Sequence, residues 1–198
     1  MKTTLLSLLT AVTLLASCET KRSETKDQLA EAGQDTAVMA RTGRSAGQMA
    51  DDTWDMTTVK LNDVKFKEIT SNGVTVRGDS TYNVYSVEEK VIFDTDKAEI
   101  KPGAAEALQQ ITGSIGQRYG TRQVRVMGFA DSRGDKSYNR ELSEKRAEAV
   151  KSYLVSNGKI AAARVSVEPM GETMPVATNA TATGRQENRR VEIAVRTK

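Results

Sequence analysis

Val124-Arg125-Val126-Met127-Gly128-Phe129, then Ala130-Asp131-Ser132-Arg133-Gly134, then Tyr138-Asn139-Arg140-Glu141-Leu142-Ser143-Glu144-Lys145-Arg146-Ala147 changes period within one short stretch. Val124 and Val126 alternate as a half-buried strand does. From Tyr138 the apolar residues recur at helical spacing to Ser156, where Asn157-Gly158 supplies a stop. Outward from this strand, turn and helix the alternation repeats. Upstream, Lys90–Phe93 reads as a short strand, and Pro102-Gly103 opens a helix whose Ala104, Leu108, Ile111, Ile115 and Tyr119 share a face. Downstream, Val165 and Val167 mark a third strand, and a polar loop from Gly171 to Asn188 leads to a fourth at Val191, Ile193 and Val195. The order βαβαββ predicts a two-layer α/β or α+β domain with helices on one face of a mixed sheet.

On a helical wheel of the second helix, Tyr138, Leu142, Ala149, Val150 and Tyr153 form one arc, with Ala147 and Leu154 at its edge. The opposite arc is polar, and Glu141 and Lys145 make an ordinary i,i+4 pair there. Arg146 lies within the apolar arc and Asn139 beside Tyr138. An inward guanidinium must either pair with an internal carboxylate or face a ligand, because an unpaired buried charge is too costly to keep. The nearest candidate carboxylate is Asp131, at the exit of the preceding strand. Such a bipolar site suits a zwitterion, with its carboxylate on Arg146 and its ammonium on Asp131.

Composition narrows the chemistry. The 198 residues include no histidine and one cysteine, which removes Ser–His and Cys–His nucleophiles, histidine metal sites, CxxC redox chemistry and an intrachain disulfide. The 29 Lys and Arg against 26 Asp and Glu leave +3, too small a surplus to indicate nucleic acid. Asp131, Asp135 and Glu141 are the carboxylates to weigh for glycan cleavage, which needs two of them roughly 5–9.5 Å apart across one bond. Glu141 projects to solvent and Asp135 sits in a turn. A binding protein without enzyme activity, cofactor or metal is the expectation.

The N-terminus sets a compartment. Met1-Lys2-Thr3-Thr4 precedes a mostly apolar run from Leu5 to Ala16, a signal-peptide layout that is shorter than the roughly 20 apolar residues of a membrane-spanning helix. Leu15-Ala16-Ser17-Cys18 resembles the lipobox of bacterial lipoproteins, which implies lipidation of Cys18 and attachment to a membrane. The expected organisation is a signal peptide over 1–17, a lipidated cysteine and flexible linker over 18–57, a β-hairpin extension over 58–86 and a domain over 87–198. The hairpin is read from Val64/Phe66 and Val74/Val76 flanking Ser71-Asn72-Gly73.

Four ordered motifs carry a family resemblance. Phe93-Asp94-Thr95-Asp96-Lys97-Ala98-Glu99-Ile100-Lys101-Pro102 resembles the opening of the OmpA-like C-terminal domain, and Gly128 to Gly134 is similar to its G-H-T-D-x-x-G turn. Asn139 to Ala147 matches its N-x-x-L-S-x-x-R-A helix, and Gly184-Arg185-Gln186-Glu187-Asn188-Arg189-Arg190-Val191-Glu192 its closing G-R-x-x-N-R-R-V-E. With the lipobox, the chain resembles peptidoglycan-associated lipoproteins of the outer membrane. The resemblance implies an α+β two-layer sandwich that binds peptidoglycan through the diaminopimelate of its stem peptide. It places Asp131 and Arg146 on the zwitterionic end, adds a hydrogen bond from Asn139, and lines the site with Asp96 and Arg189. It also implies a domain facing the periplasm, with envelope proteins as partners; a scaffold whose main client is such a protein is the alternative. Phe129 and Ala130 depart from the family's usual His and Thr, so affinity or ligand preference is expected to differ.

Overall fold

Residues Trp54, Met56 and 59–198 are described by the computed structural model. Leader, lipobox, Cys18 and most of the linker lie outside the described residues. Among the described residues six strands form one sheet: β1 (Asn62–Asp63), β2 (Val74–Gly78), β3 (Tyr82–Glu88), β4 (Val124–Phe129), β5 (Val165–Gly171) and β6 (Arg190–Arg196), in the order β1-β2-β3-β6-β4-β5. Only the β4–β5 pair is parallel. The helices are α1 (Glu89–Ile92), α2 (Ala105–Tyr119), α3 (Lys136–Ser156) and α4 (Ala182–Asn188).

The expected α+β sandwich with a mixed sheet and its helices is the observed one. Leu108, Ile111 and Ile115 of α2 and Val150 and Leu154 of α3 are fully buried against Val124, Val126, Ile193 and Val195 of the sheet. Each such side chain is worth about 1.5–3 kcal/mol of burial. Alternation along the same strands turns Arg77, Arg125, Glu168, Arg190 and Glu192 to the other face, where Arg77 and Arg190 both reach Glu192 and Arg125 reaches Glu168. A methyl group on Gly128 would sit 2.1 Å from the backbone oxygen of Ser143. The glycine lets α3 lie directly on β4 and so fixes where the polar half of that helix meets the strand ends.

Several local expectations are corrected. Lys90–Phe93 is not a strand: Glu89–Ile92 make one helical turn, and Phe93 bridges only Ile100. The domain's first long strand is β3, which pairs along its length with the central β6, so the expected boundary at 86/87 falls within β3. A short apolar run such as Val91-Ile92-Phe93 has too few residues for its period to be read.

The antiparallel pairing expected around residues 64 and 76 exists, but only Asn62 and Asp63 count as strand beside Arg77 and Gly78. The tight hairpin joins β2 to β3 instead, where Asp79 Oδ1 accepts from the amides of Thr81 and Tyr82 at 2.7 and 2.6 Å, an Asx turn. Gly73, at φ +81°, still makes a turn into β2. The polar loop after Gly171 contains α4, capped by Thr181 Oγ1 on the Gly184 amide.

Helix α3 is rotated from its predicted facing. Tyr138 is 49% exposed, and the buried side comprises Asn139, Ser143, Arg146, Ala147, Val150 and Leu154. Hydrophobicity centres the arc on Tyr138 and Leu142, whereas the inward residues of the first turns are polar.

Candidate functional site

Strands β3 and β4 both run antiparallel to β6, so their C-terminal ends converge on its N-terminal end. Glu88 and Phe129 both pair with Arg190. One residue further out stand Glu89, whose amide donates to the Arg189 carbonyl at 3.0 Å, and Ala130, whose amide donates to Gly171 at 2.7 Å. Helix α3 begins beside this corner, its first amides capped by Asp135. Four charged side chains meet there. Arg189 Nη1 donates to Asp131 Oδ2 and Arg189 Nε to Glu89 Oε2, both at 2.5 Å, and the other oxygen of Glu89 pairs with Nη2 of Arg146.

The order along the chain of contacts is Asp131, Arg189, Glu89, Arg146: two carboxylates, two guanidiniums, no net charge. Asp131, Glu89 and Arg146 are 7, 8 and 3% exposed, while the Arg189 side chain keeps 29%, so the cluster opens to solvent through Arg189. Burial pulls that guanidinium down, and its bonds to Asp131 and Glu89 more than offset this, leaving it above its ordinary value. Arg146 also donates through Nε to the Lys97 carbonyl at 2.9 Å and lies 5.3 Å from the Phe93 ring centroid. The guanidinium thereby pins the loop after α1 over the cluster.

The residues expected at the site arrive here in different ways. Asp131 and Arg189 touch. Asp131 and Arg146, read as the natural pair, each take another partner, with Glu89 and Arg189 between them. Asn139 binds through its side-chain nitrogen to the carbonyls of Asp131 and Arg133 at 3.2 and 2.8 Å, and the Arg133 amide closes the turn on Asp131 Oδ1 at 2.8 Å. Asn139 therefore shapes the turn. Asp96 lies in the pinned loop at φ +57°, exposed, with no contact joining its side chain to the cluster among the described residues. Phe129 packs its ring 3.7 Å beneath the Arg190 guanidinium on the sheet's other face, so the replaced histidine position does not enter the charged chain.

Sequence reasoning missed Glu89, which immediately precedes the mis-assigned segment Lys90–Phe93; a carboxylate two residues before the apolar run Val91-Ile92-Phe93 was the available signal. It also missed two supports from α4. Gln186 Oε1 accepts from Arg189 Nη2 at 3.0 Å. Asn188, fully buried, binds the amides of Val176 and Ala177 and the Ala177 carbonyl at 2.9–3.0 Å. Among the described residues no group of carboxylates and cysteine could hold a metal ion, and both carboxylates of this cluster are already met by guanidiniums.

Residues 92–189 match the OmpA family. This chain belongs to the OmpA family. Among its relatives, the probable lipoprotein YiaD of Escherichia coli K12 is 33% identical over 141 residues, 71% of this chain and 62% of that protein. Outer membrane porin F of Pseudomonas fluorescens is 42% identical over 57% of this chain and 34% of its own length. The chain thus spans less than two thirds of either curated relative. Among solved structures, the cell wall anchor of the T6SS from Pseudomonas aeruginosa superposes with a TM-score of 0.58 at 32% identity, covering 64% of this chain and 89% of that one. The OmpA-family match starts at residue 92 and stops at Arg189, so it leaves out β2, β3, Glu89 and β6. No helix among the described residues is long and apolar enough to cross a membrane.

Proposed function

We propose that this OmpA-family domain binds peptidoglycan non-covalently, through the zwitterionic end of diaminopimelate in the stem peptide, and acts as a binder and not as an enzyme. The observation that carries the reading is the neutral cluster of two carboxylates and two guanidiniums at the ends of β3, β4 and β6. A zwitterion adds no net charge to such a cluster and can exchange partners with it, ammonium toward Asp131 and carboxylate toward the guanidiniums. Arg189 is the open member of the cluster, Arg146 holds Glu89 and the Lys97 loop behind it, Asn139 fixes the turn that presents Asp131, and Asp96 lines the rim. The name of the Pseudomonas aeruginosa cell wall anchor supports a wall ligand. Lipidation of Cys18 would place the domain in the periplasm on a tether from the outer membrane, in keeping with the names of the lipoprotein and porin relatives. Envelope proteins are further partners of such a tethered domain.

The test is co-sedimentation of the protein with purified cell wall. The wild-type chain should pellet with the wall, leave no soluble fragments, and be released by free diaminopimelate but not by Nα-acetyl-lysine amide, whose free end carries an ammonium without a carboxylate beside it. Asp131→Asn should abolish pelleting while the unfolding midpoint shows a folded domain; undiminished pelleting of that variant would sink the site assignment. Release of soluble wall fragments would indicate a hydrolase instead.

A further inference from the structure

Glu89 stands outside the matched residues 92–189, yet it is the link between the two arginines. One carboxylate oxygen meets Arg146 and the other meets Arg189 at 2.5 Å. Its position is set by backbone, because its amide donates to the Arg189 carbonyl and the preceding Glu88 pairs with Arg190. Only its carboxylate separates two guanidiniums, of which one is almost wholly buried. With Glu89 the cluster sums to zero; without its charge the same corner carries one positive charge in surroundings that solvate it poorly.

We infer that Glu89 sets the ligand preference of this site, favouring a group that carries an ammonium beside its carboxylate over one that carries a carboxylate alone. The inference rests on the peptidoglycan reading above. A zwitterion leaves the sum at zero, whereas a lone anion brings a third negative charge beside Asp131 and Glu89. Neutralising Glu89 reverses that comparison, since an incoming anion then cancels the excess positive charge. Preference arises here from repulsion against the wrong ligand as much as from attraction to the right one. Glu89 acts through Arg146 and Arg189 and is a positioning residue.

The experiment is calorimetric titration of the full chain with two probes, free diaminopimelate and its N-acetylated form, which keeps the carboxylates and lacks the ammoniums. The wild-type chain should prefer the zwitterion. Glu89→Gln should shift the ratio of the two affinities toward the acetylated probe by roughly tenfold, the scale of a close charge pair, and Glu89→Asp should restore the wild-type ratio even where both affinities fall. Arg189→Gln, at a more exposed position that is safer for the fold, moves the sum to −1 and should widen the ratio in the opposite sense. That variant keeps the inference testable if Glu89→Gln does not fold. A ratio unmoved in the folded variants, with both probes weakened alike, would make Glu89 purely structural and overturn the inference alone. A wild-type chain that binds neither probe overturns the peptidoglycan reading together with it.

Discussion

Two arginine–carboxylate networks in this domain use the same chemistry under different conditions. At the strand ends, Glu89 and Asp131 hold Arg146 and Arg189 in a corner where three of the four are nearly out of water. Along α2, Glu68 holds Arg118 at 2.6 and 3.1 Å and accepts from Ser114 Oγ at 2.8 Å, and Ser114 in turn accepts from the buried Tyr85 hydroxyl at 2.8 Å. Arg118 also stacks 3.8 Å over Phe66, and Gln110 of α2 accepts from the amides of Thr70 and Ser71 at 2.8 and 2.9 Å. This second network straps residues 66–71 to the helix, but its arginine side chain keeps 37% of its surface. Water can replace a lost partner in the strap. It cannot do so in the corner.

Arg146→Ala should therefore produce the largest loss. It strips Glu89 of one partner inside the protein, a change that costs about 3–5 kcal/mol where a buried pair is broken. Arg118→Ala should cost about 1 kcal/mol or less, as partly exposed pairs do. Urea denaturation of both variants measures the gap; equal losses would mean that the corner is wetter than its burial indicates. The size of the Arg146 effect also means that its loss of wall binding has to be read beside the unfolding curve, and Asp131→Asn is the cleaner binding variant.

Gly128→Ala comes next. A methyl group 2.1 Å from the Ser143 oxygen forces α3 away from β4, and overpacking of this kind costs roughly 1–3 kcal/mol. Because Asn139, Ser143 and Arg146 ride on the helix, wall co-sedimentation should fall with stability. Arg118→Ala, which leaves α3 where it is, should lower stability slightly and keep binding. Binding that survives in Gly128→Ala would separate the helix position from the site.

The two networks differ as sharply in how far they can be read from sequence. Long periodic elements are legible: Leu108, Ile111 and Ile115 mark α2, and Val124 with Val126 and Val191 with Ile193 mark β4 and β6. Asp131, Asn139, Arg146 and Arg189 are legible because each breaks a pattern or falls in a family motif. The pairing among them is not, since partner choice depends on which strand ends meet, and that follows from the order β3-β6-β4. Glu89 stayed hidden behind an apolar run too short to type. The same mis-assignment concealed the part of residues 58–86 in the sheet, because β3 carries Val84, Tyr85 and Val87 inward on both faces and so lacks the polar alternation of an edge hairpin.

Acid should separate the networks more gently. The hydrogen bond from Arg118 is the main reason that the Glu68 carboxyl falls from 4.5 to about 2. A folded-state value below the unfolded one contributes stability that is present above pH 4.5 and is lost as pH falls toward 2. Wild-type urea midpoints should decline across that window by more than those of Glu68→Gln, whose strap has no carboxylate to protonate. Parallel declines in the two proteins would place the acid sensitivity elsewhere.

The smallest effect belongs to Glu141→Gln. Glu141 and Lys145 meet at 2.6 Å on the solvent side of α3, with 64 and 62% of their side chains exposed. The lysine holds the carboxyl below its ordinary value, yet both groups stay largely exposed to water, so neither the midpoint nor wall binding should move resolvably. The comparison with Arg146 is useful because both residues sit in ion pairs on one helix about a turn and a half apart, one pair buried and the other exposed. If Glu141→Gln lowered wall binding while the fold held, the ligand would have to extend over the outer side of α3, and the site could not be confined to the strand ends.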